Sequence, residues 1–314
     1  MQTFEVIQPG PLTTIQDLGR YGYQQYGVPP SGAMDNYAFR IGNLLVGNDE
    51  TAASLEITLF GSQLRVLQDT VIAVTGADLA PTLNSDSLPR WESIPVRHGD
   101  IISFGSLKSG CRAYLSVTGG INVSKVMSSA ATYTRARIGG LDGRALQKGD
   151  ILLTFASIPA PSGVRVPSEY VPKYSCQIEL RVILGPQDDY FTEDGINTFL
   201  RSEYTVSTQA DRMGYCLEGP PIQHRTTADI ISDGIPLGAV QVPGDGLPII
   251  LLVDRQTTGG YTKIATVISV DIPKLAQAKP GDKVRFQQIG QDEAQIALQE
   301  YEQRIETIKH QLSH

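Results

Sequence analysis

Three stretches of this 314-residue chain set charged and hydroxyl side chains beside glycine, a composition suited to binding anions. The first is Gln16-Asp17-Leu18-Gly19-Arg20, followed by Tyr21-Gly22. Asp17 and Arg20 are near enough to pair, and the glycines allow a backbone bent around an anion. The second, Asp211-Arg212-Met213-Gly214, sets another Asp-Arg pair ahead of a glycine. The third spans 238–263. Two apolar runs, Ala239–Val242 and Pro248–Val253, bracket a glycine-rich turn, and the second empties into Asp254, Arg255, Gln256, Thr257, Thr258, Gly259, Gly260 and Tyr261. A buried strand that delivers polar groups and a glycine pair to one rim is a common way to build a site. Gln241 lies on the first run, and Lys263 beyond the glycines is a point charge suited to phosphate or carboxylate. Thr257, Thr258 and the Gly259 and Gly260 amides have the makings of an anion-binding nest. Each stretch also has a plain structural reading: an ion pair across a loop, a surface turn with a weak pair, a solvated edge lysine. Spacing alone leaves both open.

Other catalytic engines are missing from the sequence. There is no phosphate-binding Gly-x-x-x-x-Gly-Lys-Ser/Thr loop, no Gly-x-Ser-x-Gly elbow and no Gly-x-Gly-x-x-Gly opening a helix. The four histidines, His98, His224, His310 and His314, show no metal-ligand spacing. His98 precedes a turn and His314 ends the chain, so both are expected to face solvent. No metal ligands are assigned. Any catalysis must rest on carboxylates, Lys, Arg and backbone amides, with groups from a partner.

The elements that would position these groups read as strands. Ile178, Leu180, Val182 and Leu184 alternate with Glu179 and Arg181, the period of a half-buried strand. Val71–Val74, Ile101–Phe104, Tyr114–Val117 and Ile264–Val270 are short apolar runs bounded by turn residues. A Gly-Asp turn launches an apolar run three times, at Gly99-Asp100, Gly149-Asp150 and Gly281-Asp282. Four prolines within Ile158–Pro172 suit a linker. The reading is a mainly β chain of two related domains, 1–157 and 173–290, joined by the proline-rich linker 158–172. Helices are few: Met34, Ala38, Ile41 and Leu45 recur at helical spacing, with Ser31 or Asp35 as cap and Gly47 as stop, and Leu275–Ala278 is another short turn. In the tail, 291–314, Leu298, Tyr301, Ile305, Ile308 and Leu312 form an amphipathic stripe for its own chain or a companion protein.

Composition bounds the partners. Hydrophobic residues at 41% and charged residues at 19% are ordinary for a globular protein. A net charge of −7 argues against nucleic acid and an anionic membrane surface, while leaving room for a local cationic pocket. Three well-separated cysteines and an N-terminus without a basic-then-apolar pattern lead us to expect a cytoplasmic protein, and no apolar run is long enough to cross a bilayer.

Taken together, several motifs resemble the KipA family, whose other names are the C subunit of 5-oxoprolinase, biotin-dependent carboxyltransferase and allophanate hydrolase subunit 2. They are Pro9-Gly10-Pro11-Leu12-Thr13-Thr14-Ile15 running into Gln16–Arg20, Gly27-Val28-Pro29, Ser31-Gly32-Ala33-Met34-Asp35, Asn43–Asn48 and Leu55-Glu56. Gly139-Gly140, Gly143-Arg144, Gly185-Pro186-Gln187, Asp211–Gly214 and Gln256–Tyr261 continue the match, which covers about residues 3–290. The resemblance implies two cyclophilin-like β-barrel domains. It also implies a complex with two companions, a KipI-type B subunit and an A subunit, that opens 5-oxo-L-proline to L-glutamate with ATP and magnesium. In that setting Arg20, Arg212, Lys263 and the Gly259-Gly260 amides would stabilise a transferring phosphoryl group, with Asp17, Asp211 or Asp254 positioning it. Gln241, Thr257, Thr258 and Tyr261 would line the substrate site, which a companion completes.

Two other functions fit the same resemblance: a regulator that antagonises a KipI-type inhibitor of a sporulation histidine kinase, and a carboxyltransferase using biotin. Without a Met-Lys-Met sequence, the biotin would arrive on another protein. One departure stands out. Where the family pattern has Gly-Ser-Arg-Ser-Thr ahead of Gly139-Gly140, residues 128–132 read Ser-Ser-Ala-Ala-Thr, without the cation.

Overall fold

The three Gly-Asp turns share one construction. Gly99, Gly149 and Gly281 sit at φ of +91°, +88° and +93°, a region glycine enters without steric cost. In each, the aspartate carboxylate accepts the amide three residues back: Arg97 to Asp100 and Gln147 to Asp150 at 2.7 Å, Lys279 to Asp282 at 3.1 Å. Each turn then exchanges two backbone hydrogen bonds of 2.8–2.9 Å with one valine, Val66, Val6 or Val206. A strand leaves every turn, at Ile101–Phe104, Ile151–Leu153 and Lys283–Gln288. The repeated punctuation is thus a repeated structure.

A computed structural model describes residues 1–155 and 162–312. The first part of the expected linker, 158–161, and the tail histidine His314 lie outside the described residues. The fold is mainly β, in two units. One comprises Met1–Arg20, Ser31–Tyr174 and the chain from Arg304 onward; the other comprises Tyr21–Pro30 and Ser175–Gln303. The described part of the proline-rich stretch belongs to the first unit, where the Ser93 amide donates to Val164 O and the Val166 amide to Trp91 O.

In the first unit the strands form two sheets. One runs, in spatial order, Ile151–Leu153, Gln2–Pro9, Ser62–Val66, Ile101–Phe104, Pro81–Leu83 and Asp86–Ser87. The other runs Leu12–Gln16, Ser54–Thr58, Ser109–Val117, Thr70–Asp78 and Ser93–Val96. They enclose one apolar core in which Phe4, Val6 and Phe104 of one sheet meet Ile15, Ile57 and Leu115 of the other. Helix α1, Asn36–Leu45, begins where Asp35 accepts the Ala38 amide at 2.9 Å and ends before Gly47 at φ +74°.

The second unit is a closed seven-stranded barrel, in order Gln177–Leu184, Lys263–Val267, Ala239–Gln241, Ile249–Leu251, Gly214–Glu218, Tyr204–Ala210 and Lys283–Gln288. One parallel pair, between the first and last of these, closes it. Helix α2, Glu193–Arg201, was not anticipated. Thr192 caps it through the Gly195 amide at 2.9 Å, and Phe199 stacks on the strand residue Phe286 at 4.3 Å. The short helix α3 is Ile272–Ala276.

Helix α4, Gln291–Leu312, realises the tail stripe with one change. Ile305 and Ile308 are fully buried, but Leu298 is exposed and Ala297 takes the inward place. Its last turns pack on their own chain: Arg304 donates to Glu169 O and lies over the Tyr170 ring, and Lys309 pairs with Glu50 at 3.1 Å.

Candidate functional site

In the first unit, Asp17 and Arg20 face the loop that departs from the family pattern. Asp17 Oδ1 accepts the Gly19 amide at 2.8 Å and the Ser129 hydroxyl at 2.7 Å, while Oδ2 accepts the Ala130 amide at 2.6 Å. The buried Arg20 donates to the Ala131 carbonyl. Gln16 donates to the Thr132 carbonyl at 3.2 Å. The motif therefore clasps residues 129–132 and does not aim an Asp-Arg pair outward. Gly139 and Gly140 pack against this clasp at φ +70° and +54°. A Cβ on Gly139 would collide with the Ala131 carbonyl oxygen, and one on Gly140 with the Thr132 hydroxyl.

A buried carboxylate–phenol network in the same unit escaped the sequence reading. Glu56 Oε2 accepts the Tyr114 hydroxyl at 2.8 Å and the Met34 amide at 2.9 Å. Tyr114 in turn accepts the Asp35 amide, and Asp35 accepts the Tyr174 hydroxyl at 3.0 Å. Burial first, and then the nearby carboxylates, push the Tyr114 phenol well above its usual range. Asp35 and Glu56 stood inside recognised motifs, but nothing in their spacing foretold that a tyrosine would join them.

The second unit holds the remaining candidates. Arg212 and Asp254 form a buried pair, Nε to Oδ2 at 2.9 Å and Nη2 to Oδ1 at 3.4 Å, so the Arg212 charge is neutralised on the spot. Asp211 is exposed and closes a turn by accepting the Met213 amide at 2.7 Å. Arg255, which was not assigned a role, is buried and donates to the Ile235 and Leu252 carbonyls at 2.9 and 3.0 Å. Burial lowers its pKa to about 10.

Thr258–Tyr261 is a strand, paired with Asp229–Gly234 in a two-stranded ribbon. Because Gly259 and Gly260 are extended, with neither at positive φ, they form no amide nest. Their reason is space. A Cβ on Gly259 would lie 2.7 Å from Ile235 Cδ1 and 2.9 Å from Gln241 Nε2; one on Gly260 would lie 3.2 Å from Ile230 O. Thr257 contributes its carbonyl to the Ile235 amide at 3.0 Å, Thr258 is exposed, and Tyr261 is 42% exposed.

Gln241 and Lys263 face each other in register on adjacent barrel strands. Both are buried, so Lys263 is not the solvated edge lysine of the plain structural reading. Gln241 Nε2 reaches Tyr261 O at 3.5 Å. The Lys263 amide donates to Gln187 Oε1 at 3.1 Å, and its Nζ reaches Asp233 of the ribbon at 3.4 Å. On the flank of the ribbon a cavity of about 730 Å³ is lined by His224, Thr226, Thr227, Asp229, Asp245 and Tyr261 among others. Burial lowers the pKa of His224, so the cavity wall carries carboxylates and hydroxyls rather than cations.

The donor set does not fit a magnesium–nucleotide group. Asp17 and Asp254 already have both oxygens occupied by N–H or O–H donors, and Arg20 and Arg212 are committed within the fold. Among the described residues no three His, Cys, Asp or Glu side chains are grouped to hold a metal. Lys263 keeps donor capacity in reserve: three protons and, among the described residues, a single long contact.

The profile described as carboxyltransferase domain, subdomain A and B, matches residues 26–288. The chain is 37% identical over 304 residues to the C subunit of 5-oxoprolinase from Escherichia coli, covering 97% of each. It is 36% identical to the protein of the same name from Haemophilus influenzae, covering 92% of each. In structure it is similar to the Kluyveromyces lactis urea carboxylase, with a TM-score of 0.93 and 34% identity over 98% of this chain and 29% of that longer one. Among the described residues no helix is long and apolar enough to cross a membrane.

Proposed function

This chain belongs to the carboxyltransferase-domain family that includes the C subunit of 5-oxoprolinase, and from that membership we propose that it is itself the C subunit of an ATP-dependent 5-oxoprolinase. The observation that carries the reading is the 37% identity to such a protein across 97% of both chains. In the reaction, water adds across the lactam C–N bond of 5-oxoproline, giving the γ-carboxylate and free amine of glutamate. The substrate is a small ring bearing one carboxylate and one amide. Lys263, with Gln241 and Gln187 beside it, offers the matching groups: an ammonium for the carboxylate and side-chain amides for the lactam. The burial of Lys263 and Gln241 keeps water from competing for those donors. On this reading ATP and magnesium bind on the companions, the KipI-type B subunit and the A subunit, since Asp17 and Asp254, the carboxylates nominated here to position the phosphoryl group, are engaged within the fold. The chain alone is inactive on this reading.

The test is co-expression with both companions, following ATP-dependent release of glutamate from 5-oxoproline. Wild-type complex turns over and a complex carrying Lys263→Met loses at least tenfold in kcat/KM. Full activity of that variant removes Lys263 from the site. Absence of turnover by the wild-type complex refutes the reading, and tight binding of a KipI-type protein alone would then indicate a regulator. The structural likeness to urea carboxylase favours one other reading, carboxyl transfer from biotin held on another protein. Biotin-dependent carboxylation of urea or a related amide by the complex would establish it.

A further inference from the structure

Lys263 presents an imbalance. Its side chain is 1% exposed, and a buried ammonium requires an anion and hydrogen-bond acceptors to offset lost hydration. Among the described residues the only such partner of its Nζ is Asp233, at 3.4 Å, longer than a charge-assisted hydrogen bond prefers. Asp233 is itself 56% exposed, so a buried cation is matched to a mostly hydrated anion. Two further ammonium protons have no acceptor among the described residues.

Asp233 reaches this position from the ribbon rather than from the barrel. The ribbon is tied at both ends: Thr262 N donates to Ala228 O at one, and Ile235 N to Thr257 O at the other, where Arg255 also holds Ile235 O. Between the ties it bulges, with a register shift between Asp229 and Asp233 and Ile231 95% exposed. Mid-ribbon contact with the barrel is slight and largely polar, with Gly259 on the Gln241 amide and Asp233 on Lys263. A two-stranded ribbon with few buried apolar contacts opens at low cost. The Gly234 amide first, then the charge of Lys263, hold the Asp233 carboxyl below its usual range, so it is an anion at neutral pH.

We propose that Asp233 is an internal stand-in for a ligand carboxylate: Lys263, Gln187 and Gln241 form a carboxylate subsite that Asp233 caps until a small carboxylate displaces it and the ribbon bows outward. This deepens the functional reading given above and rests on its assignment of Lys263 to the substrate site. Asp233 then sets affinity, because a ligand must first compete with a tethered rival.

Asp233→Asn keeps the Oδ1 that accepts the Gly234 amide and removes the competing charge. If the capped form holds about nine-tenths of the population, releasing it tightens ligand binding about tenfold. The probes are acetate and 5-oxoproline, added to the wild-type and variant complexes. Readouts are their dissociation constants and hydrogen exchange of the 229–234 amides. In the wild-type complex acetate should speed exchange in the ribbon. In Asp233→Asn the ribbon should exchange fast without acetate, and acetate should bind about tenfold tighter. Lys263→Met should abolish the acetate response. Unchanged or weaker acetate binding by Asp233→Asn, or a ribbon indifferent to acetate, overturns the proposal. If the complex turns over 5-oxoproline but acetate leaves the ribbon unmoved, the capping idea alone falls. If acetate loosens the ribbon yet no 5-oxoproline is turned over, the 5-oxoprolinase reading alone falls.

Discussion

Replacing Asp254 by asparagine is expected to destabilise the second unit by about 3–5 kcal/mol, because it leaves the Arg212 guanidinium charged and buried without its counter-ion. The structure sets the scale. Both side chains are less than one-tenth exposed, and the two bonds of 2.9 and 3.4 Å form a fork. The Asp254 amide also donates to the Arg212 carbonyl at 2.9 Å, so the backbones cannot drift apart and let water in. At about 2–4 °C per kcal/mol for a unit of this size, the midpoint should fall by roughly 6–20 °C, read by calorimetry. The double variant Arg212→Met/Asp254→Leu removes both charges and fills the volume, and its stability should lie within about 1–2 kcal/mol of wild type. A loss below about 1 kcal/mol in Asp254→Asn would refute the claim that the pair is desolvated. So would a double variant as damaged as the sum of the singles. Activity adds a second axis: a stable double variant that still supports turnover would confine the pair to structure.

Four further outcomes follow from the geometry. Asp17→Ala should cost about 3 kcal/mol by stranding the Gly19 and Ala130 amides and the Ser129 hydroxyl, and faster hydrogen exchange across 129–132 would report the released clasp. Gly139→Ala, which combines φ of +70° with a collision against the Ala131 carbonyl, should cost about 3 kcal/mol or more. Gly99→Ala, with φ of +91° but open space, should cost only about 1–2 kcal/mol, and equal denaturation midpoints would contradict the steric argument. For Asp271, burial would raise the carboxyl's pKa, but Arg181 and Lys274 outweigh it and hold it below its usual range. Its contribution is therefore complete above about pH 4 and lost as pH falls through the depressed folded value. Asp271→Asn should lower stability at pH 7 by about 2 kcal/mol and flatten the acid limb of the stability profile below about pH 4.

What could be read in advance follows the range of the forces involved. Local chemistry was legible. The Gly-Asp turns, the Asp35 cap and the alternation of Ile178 to Leu184 depend on neighbours a few residues away, and each appears as expected. Helix α2 was missed because its nine residues carry an interrupting glycine, although Thr192 with Glu193 and Asp194 was a usable start signal. Long-range pairing was not legible. Nothing near Asp17 announces Ser129, over a hundred positions away, and nothing near Lys263 announces Asp233. Gly259 and Gly260 are required by close packing rather than by positive φ, a reason that local sequence does not reveal. The polar candidates follow from residue type and spacing; their division into engaged and available groups depends on contacts that only the fold creates.

The way the chain is apportioned between units bears on how it is made. Neither unit is one continuous stretch: 21–30 belongs with the later half, and the residues from Arg304 onward belong with the earlier one. A ribosome releasing the chain from its N-terminus would have both sheets of the first unit in hand long before Ile305 and Ile308, two fully buried members of that unit, emerge. The first unit must wait, incompletely sealed, until residues 305–308 have been made. Exposed apolar surface during that interval invites chaperones or an early-binding companion chain. Cutting the chain between Tyr174 and Ser175 would yield two fragments, each lacking a piece carried by the other.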